Sequence, residues 1–318
     1  MSATVVYIGA PEADAERFAA LARKDFPDVG LYATNDRAEA LEHLDEALAV
    51  IGHHFQFDAA LIERAPKLRW IQSLTTGVDA ILSIPTLPRN VVITNTRGVH
   101  GPQMSELVFL YMLALPRDFP RMLRNQRQGR WERWPQPLLR DKTVVIVGVG
   151  AIAESLAPRC KAFDMRVFGV SGSSRVPPHF DAIFPRAQIV QAAALADFLV
   201  LLVPLSTETE NLVNRAVIEA MKPTAYLINV ARGGVLDEAA LLDALRAGRL
   251  AGAALDVFRR TPLPSDDPLW QEQRILITPQ IGGMSDVYLE QAYPYVRENL
   301  RHFLSGWFDR MVNIVQRS

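Results

Sequence analysis

KTVVIVGVGAIAESLAPRCKAFDMRVFGVSGSSR, residues 142–175, decides the fold of this chain. Thr143 leads into the apolar run Val144, Val145, Ile146 and Val147, the composition of a parallel strand buried on both faces. Gly148, Val149, Gly150, Ala151, Ile152 and Ala153 then form the pattern G-x-G-x-x-G/A. A helix to about Phe163 follows, with Ile152, Leu156 and Cys160 on one face, and a second strand over 165–170 closes the unit. Each position has a physical reason. Gly148 lets the chain turn sharply, Gly150 lets backbone approach a pyrophosphate, and Ala153 lets helix pack close to strand. The N–H groups at the helix start hold phosphate charge. In this strand–turn–helix–strand setting the pattern predicts dinucleotide binding.

Working outward, 318 residues suit two domains at roughly 150 residues each. The chain is 49% apolar and 22% charged, enough apolar surface for a sizeable globular core. A net charge of -1 gives no basic surface for nucleic acid. The single cysteine, Cys160, excludes an intramolecular disulfide, fits a reducing compartment and reads as a small core residue. The opening MSATVVYIGAPEAD lacks a basic leader region and cleavage site, and the longest apolar run, 107–115, is too short to span a bilayer. A cytoplasmic protein with no membrane partner is expected.

Upstream, strand signals at 4–8, 47–51, 69–73 and 91–94 alternate with helix signals at 13–24, 38–45 and 58–65, as in a small α/β domain. Two loops at strand ends stand out. Gly52, His53, His54 and Phe55 follow one strand; Leu74, Thr75, Thr76, Gly77, Val78 and Asp79 follow the next, rich in small residues whose N–H groups can bind an anion. A long helix is expected over 101–119, then a basic, aromatic stretch at 121–140 with Trp131 and Trp134 that reads as an arm packing on a partner subunit. Downstream, strands are expected at 198–203, 225–230, 251–257 and 275–277, and helices at 237–246 and 285–304, with Pro294 kinking the last or displacing its start. The two long helices flank 120–284 and read as a hinge.

The chain resembles the D-isomer-specific 2-hydroxyacid dehydrogenases, which include glyoxylate/hydroxypyruvate reductases. The matching stretches are TTGVDAI (75–81), MSELVFLYMLALPR (104–117), VVIVGVGAIA (144–153), VPLSTETENLVN (203–214), LINVARGGVLDEAALLDAL (227–245), AGAALDVF (251–258) and ITPQIGG (277–283). The resemblance implies a two-domain α/β protein: a Rossmann dinucleotide-binding domain, 101–284, inserted into a smaller flavodoxin-like substrate domain, 1–100 plus 285–318. It also implies a cleft between the domains, a homodimer with an arm at about 117–140, and hydride transfer between a 2-keto acid and a D-2-hydroxy acid. Arg232 would fork onto the substrate carboxylate, with the N–H groups of Thr76 and Gly77 sharing it. Gly148, Val149, Gly150, Ala151 and Ile152 would hold the pyrophosphate. Val203, Pro204, Val230, Ala231, Asp256, Gly282 and Gly283 would line the rest of the cofactor site, Asp256 beside the nicotinamide and Pro204 by the adenosine. No metal site is implied.

Three departures from the family pattern matter. Where the family keeps a glutamate and a proton-giving histidine, this chain has Thr261 and Gln280. Glutamine has no usable pKa, and losing a general acid typically costs ~10²–10⁴-fold in rate. The two changes are consistent as a pair, since Thr261 can hydrogen-bond a Gln280 amide. Replacement proton donors are His53, His54, His100, or a water held by Gln280 and Thr261. Third, Ser171, Gly172, Ser173, Ser174 and Arg175 stand where NAD-specific chains place an acid. Hydroxyls plus a cation predict NADP(H) preferred over NAD(H). Two functions remain open: a 2-keto acid reductase with an altered proton donor, or a dinucleotide-binding sensor without turnover on the same scaffold.

Overall fold

The computed structural model describes residues 4–11 and 13–317. The start of the stretch read for a leader, residues 1–3, and Glu12 within it lie outside the described residues. The chain divides into two compact units, 1–99 with 284–318, and 100–283.

The first unit carries β1 (Thr4–Ile8), β2 (Gly30–Thr34), β3 (Ala47–Gly52), β4 (Trp70–Ser73) and β5 (Val92–Thr94). They form a parallel sheet in the order β2-β1-β3-β4-β5, the flavodoxin-like arrangement. Val5 and Tyr7 point into one core, Val6 and Ile8 into the other, as a strand covered on both faces requires. The helix Tyr288–Leu304 belongs to this unit. It starts at Tyr288 rather than 285 and carries Pro294 in its interior instead of breaking there. Leu289, Ala292, Val296, Leu300 and Phe303 bury one face in the core. At roughly 1.5–3 kcal/mol per large buried side chain, that outweighs the roughly 3 kcal/mol an interior proline costs.

The second unit carries β6 (Thr143–Val147), β7 (Arg166–Ser171), β8 (Ala182–Pro185), β9 (Phe198–Leu201), β10 (Tyr226–Asn229), β11 (Gly252–Leu255) and β12 (Ile275–Ile277). Their order is β12-β11-β10-β9-β6-β7-β8, all parallel, which is the Rossmann order extended by one strand. Val145 and Val147 face one core, Val144 and Ile146 the other, so the apolar run in the quoted stretch is a central strand. The helix expected over 101–119 is Gly101–Ala114, ending before Pro116; it packs on the helix Ala151–Ala162 through Ser105 and Ser155. A second helix, Phe119–Arg127, then opens the arm.

The unexpected strands, β2 and β8, are both sheet edges. Their residues are mostly half-buried, so they lack the apolar run that marks a central strand. No helix among the described residues is long and apolar enough to cross a membrane.

Candidate active site

In the first unit the two singled-out loops follow adjacent strands, β3 and β4, and are tied by the Leu74 N–H to the Gly52 carbonyl at 2.8 Å. Thr75 organises the second loop: its hydroxyl donates to the Gly77 carbonyl at 3.0 Å and meets Ser73 Oγ at 2.9 Å. Asn95 Nδ2 donates to the Thr76 carbonyl at 2.9 Å. His54 joins this loop, with Nδ1 3.0 Å from Thr75 Oγ1. His53 is buried and lies against Phe55 and Tyr288, ring centroids 5.5 and 5.9 Å away. Its backbone N–H donates to Gln56 Oε1 at 2.7 Å. The adjacent histidines thus have different settings: His54 on the Thr75 loop, His53 buried beside Tyr288. His100 is buried at the start of the helix Gly101–Ala114, in the second unit.

In the second unit the turn after β6 meets the sheet's switch point, where β6 and β9 adjoin. Gly148 has φ +100°, and a Cβ there would lie 2.5 Å from the Val203 amide nitrogen, so only glycine lets the turn pass this close. A Cβ at Gly150 would meet no atom within 4 Å, leaving that backbone facing open space. The pocket outside these strand ends is lined by Gly148, Val149 and Gly150, by Ser171 and Gly172, and by Val203 and Pro204. Ala153 is buried at the helix–sheet contact. An open glycine cradle at a helix start fits a dinucleotide pyrophosphate. Ala151 and Ile152 begin that helix.

Arg186, which sequence reasoning did not single out, also lines this pocket. The exposed Arg175 guanidinium is ion-paired with Glu154, in the first turn of the helix Ala151–Ala162. A carboxylate there opposes phosphate binding, and Arg175 neutralises it. Ser173 and Ser174 are exposed; the Ser173 N–H donates to Ser171 Oγ at 3.0 Å and the Arg175 N–H to Ser173 Oγ at 3.2 Å, closing the loop on itself.

At the ends of β10 to β12 the setting is tighter. Asn229, fully buried, accepts the Ala231 N–H at 3.1 Å and donates to the Arg232 carbonyl at 3.1 Å, fixing the backbone that carries Arg232; Val230 and Ala231 are buried beside it. Arg232 Nη1 donates to the Ala231 carbonyl at 2.7 Å. A Cβ at Gly233 would fall 1.9 Å from the Phe258 carbonyl carbon, so this loop lies directly on the one after β11. Asp256 is tied into the loop after β12. It is buried and accepts the Thr278 hydroxyl and the N–H groups of Ile281 and Gly282, the latter two at 3.0 Å. Burial pushes its carboxyl above the ordinary range against the pull of these donors. Tyr111 bonds Thr278 in turn. The chain Tyr111–Thr278–Asp256 pins the loop holding Gln280, Gly282 and Gly283.

Gln280 itself is exposed with φ +56°, and Thr261 is exposed with its hydroxyl 3.5 Å from the Phe258 carbonyl. Among the described residues no hydrogen bond joins them. Cys160 is buried, its thiol pushed up to about 12 by burial, as suits a core residue. Among the described residues no group of three or more His, Cys, Asp or Glu could hold a metal ion.

The family pattern for the NAD-binding domain of D-isomer-specific 2-hydroxyacid dehydrogenases matches residues 109–282. The chain belongs to that family. A glyoxylate reductase of Pyrococcus horikoshii is 35% identical over 263 residues, 79% of this chain and 78% of that protein. The solved structure of a D-isomer-specific 2-hydroxyacid dehydrogenase family protein from Aeromonas salmonicida superposes with a TM-score of 0.91 at 32% identity, covering 99% of each chain. An NADPH-dependent glyoxylate/hydroxypyruvate reductase of Sinorhizobium meliloti, solved with NADP and sulfate, gives a TM-score of 0.84 at 28% identity, covering 99% of this chain and 98% of that one. The two-domain α/β dehydrogenase fold of this family is therefore the fold of this chain.

Proposed function

We propose that this dehydrogenase reduces a small 2-keto acid to the D-2-hydroxy acid, with NADP(H) preferred over NAD(H). The observation that carries the reading is Arg232, set by buried Asn229 on the strand-end edge that also carries the open glycine turn. A planar guanidinium held in place can fork onto a carboxylate. In the first unit, Thr76 and Gly77 offer N–H groups suited to an anion. When bound, the reduced nicotinamide supplies hydride. Gln280 can donate one N–H to the oxyanion that develops on the substrate, but it has no proton to give at neutral pH. We assign the proton to His54, because it is bonded to the anion-binding loop through Thr75. Ser171, with no carboxylate at the end of β7, favours a 2′-phosphate over a bare ribose.

The arm supports a homodimer. Trp131 is 92% exposed and Leu138 is 62% exposed, while Trp134 is held under the Arg121 guanidinium 4.4 Å from its ring. Exposed tryptophan on a self-braced arm suits a second copy of the chain. Sedimentation should give a dimer, and Trp131→Glu a monomer.

The test of function is NADPH oxidation against a panel of 2-keto acids. Turnover that falls by about 10²-fold or more in His54→Gln while NADPH binding holds fits the assignment. The sensor reading draws on Gln280 and Thr261. NADPH binding without turnover of any keto acid would favour it.

A further inference from the structure

Arg186 is brought to the cofactor pocket by strand register. β7 pairs with β8 so that Ser171 lies opposite Pro185, and Arg186 is the next residue. It therefore stands beside Gly172: a Cβ built there would be 3.6 Å from Arg186 Nη2. The same guanidinium lines the pocket together with Ser171, Val203 and Pro204. Arg186 Nη1 donates to Glu208 Oε2 at 2.7 Å, in the loop after β9 on the pocket's other side. Glu208 is 76% exposed, and ion pairs this wet contribute little, ~0–1 kcal/mol. Arg186 can leave Glu208 at small cost.

We propose that Arg186 is the residue by which this chain selects a 2′-phosphorylated adenosine, with Glu208 holding the guanidinium at the pocket until the phosphomonoester displaces it. The proposal rests on the NADP(H) reading above and reassigns its cation. Arg186 lines the pocket next to Ser171, whereas Arg175 does not line it. A guanidinium can pair bidentately with a phosphomonoester, and the Ser171 hydroxyl can add a further hydrogen bond. A 2′-hydroxyl offers Arg186 no charge to exchange for Glu208, so unphosphorylated adenosine leaves the ion pair in place.

The experiment titrates the full-length protein by calorimetry with adenosine 2′,5′-bisphosphate and with 5′-AMP. The parent should bind the bisphosphate at least about tenfold tighter. Arg186→Gln should bring the ratio near one with 5′-AMP affinity unchanged, which also reports an intact fold. Arg186→Lys should keep part of the ratio, Arg175→Gln all of it, and Glu208→Gln should raise bisphosphate affinity severalfold. If Arg186→Gln keeps the ratio, or weakens both ligands equally, the assignment to Arg186 is overturned while the NADP(H) reading stands. A parent that binds both ligands equally would instead overturn the NADP(H) reading itself, and this proposal with it.

Discussion

Two parallel sheets of the same doubly wound design treat their switch points in opposite ways. In the first unit the order reverses between β1 and β3, and the strand ends there are filled. Buried Gln56 spans them, donating to the Gly9 carbonyl at 2.8 Å and accepting the His53 N–H at 2.7 Å. Asn35 closes the other flank, where a Cβ at Gly9 would fall 2.0 Å from its side-chain oxygen. In the second unit the order reverses between β6 and β9, and glycine leaves that crevice open. Topology supplies a crevice in both; the side chains at the strand ends decide which takes a ligand. The loop after β3 itself supplies the filling Gln56, and the anion-type loop sits one strand over, after β4.

The largest expected effect comes from the rigid edge of the second sheet. Asp256→Ala strands the Thr278 hydroxyl and two backbone N–H groups, each costly to leave unpaired. Urea unfolding should show a loss of about 3–5 kcal/mol. The filled crevice comes next: Gln56→Ala should cost about 2–3 kcal/mol and leave NADPH affinity unchanged. NADPH affinity that fell in step with stability would remove the contrast between the crevices. Gly148→Ala should act the other way round. Its Cβ meets the backbone at Val203 and its φ is strained, so NADPH should bind at least about tenfold more weakly for a stability loss of about 1–3 kcal/mol. Smallest of all, Cys160 should resist thiol reagents at pH 8 in the native protein and react only on unfolding, because burial holds its thiol near 12. Fast labelling of the folded protein would place Cys160 outside the core.

Much of this was legible in the residues themselves. Central strands such as β6 announce themselves because both faces are buried, and the glycine pattern after β6 follows from the close approach to Val203. Edge strands are half exposed, so β8 carried no clear signal, and Arg186 is visible only once the β7–β8 register is known. Asp256 shows a different limit. Its identity was readable, but its partners at 278, 281 and 282 come from a turn whose path sequence does not fix. The same holds for Thr261 and Gln280, which are near in the pattern yet not joined by a hydrogen bond. His53 and His54 are neighbours in sequence, and only the packing of Tyr288 against the first and the Thr75 contact of the second separate their settings.

The central claim is that the second unit joins a nicotinamide dinucleotide to a carboxylate-clamping Arg232. The most direct measurement is NADPH-linked 2-keto acid reduction by the parent and by Arg232→Lys, with NADPH affinity measured in parallel. Lysine keeps the charge but cannot form the fork, so kcat/KM for the keto acid should fall by about 10²-fold or more while NADPH binding holds. An Arg232→Lys variant that reduces keto acids as well as the parent would contradict the account.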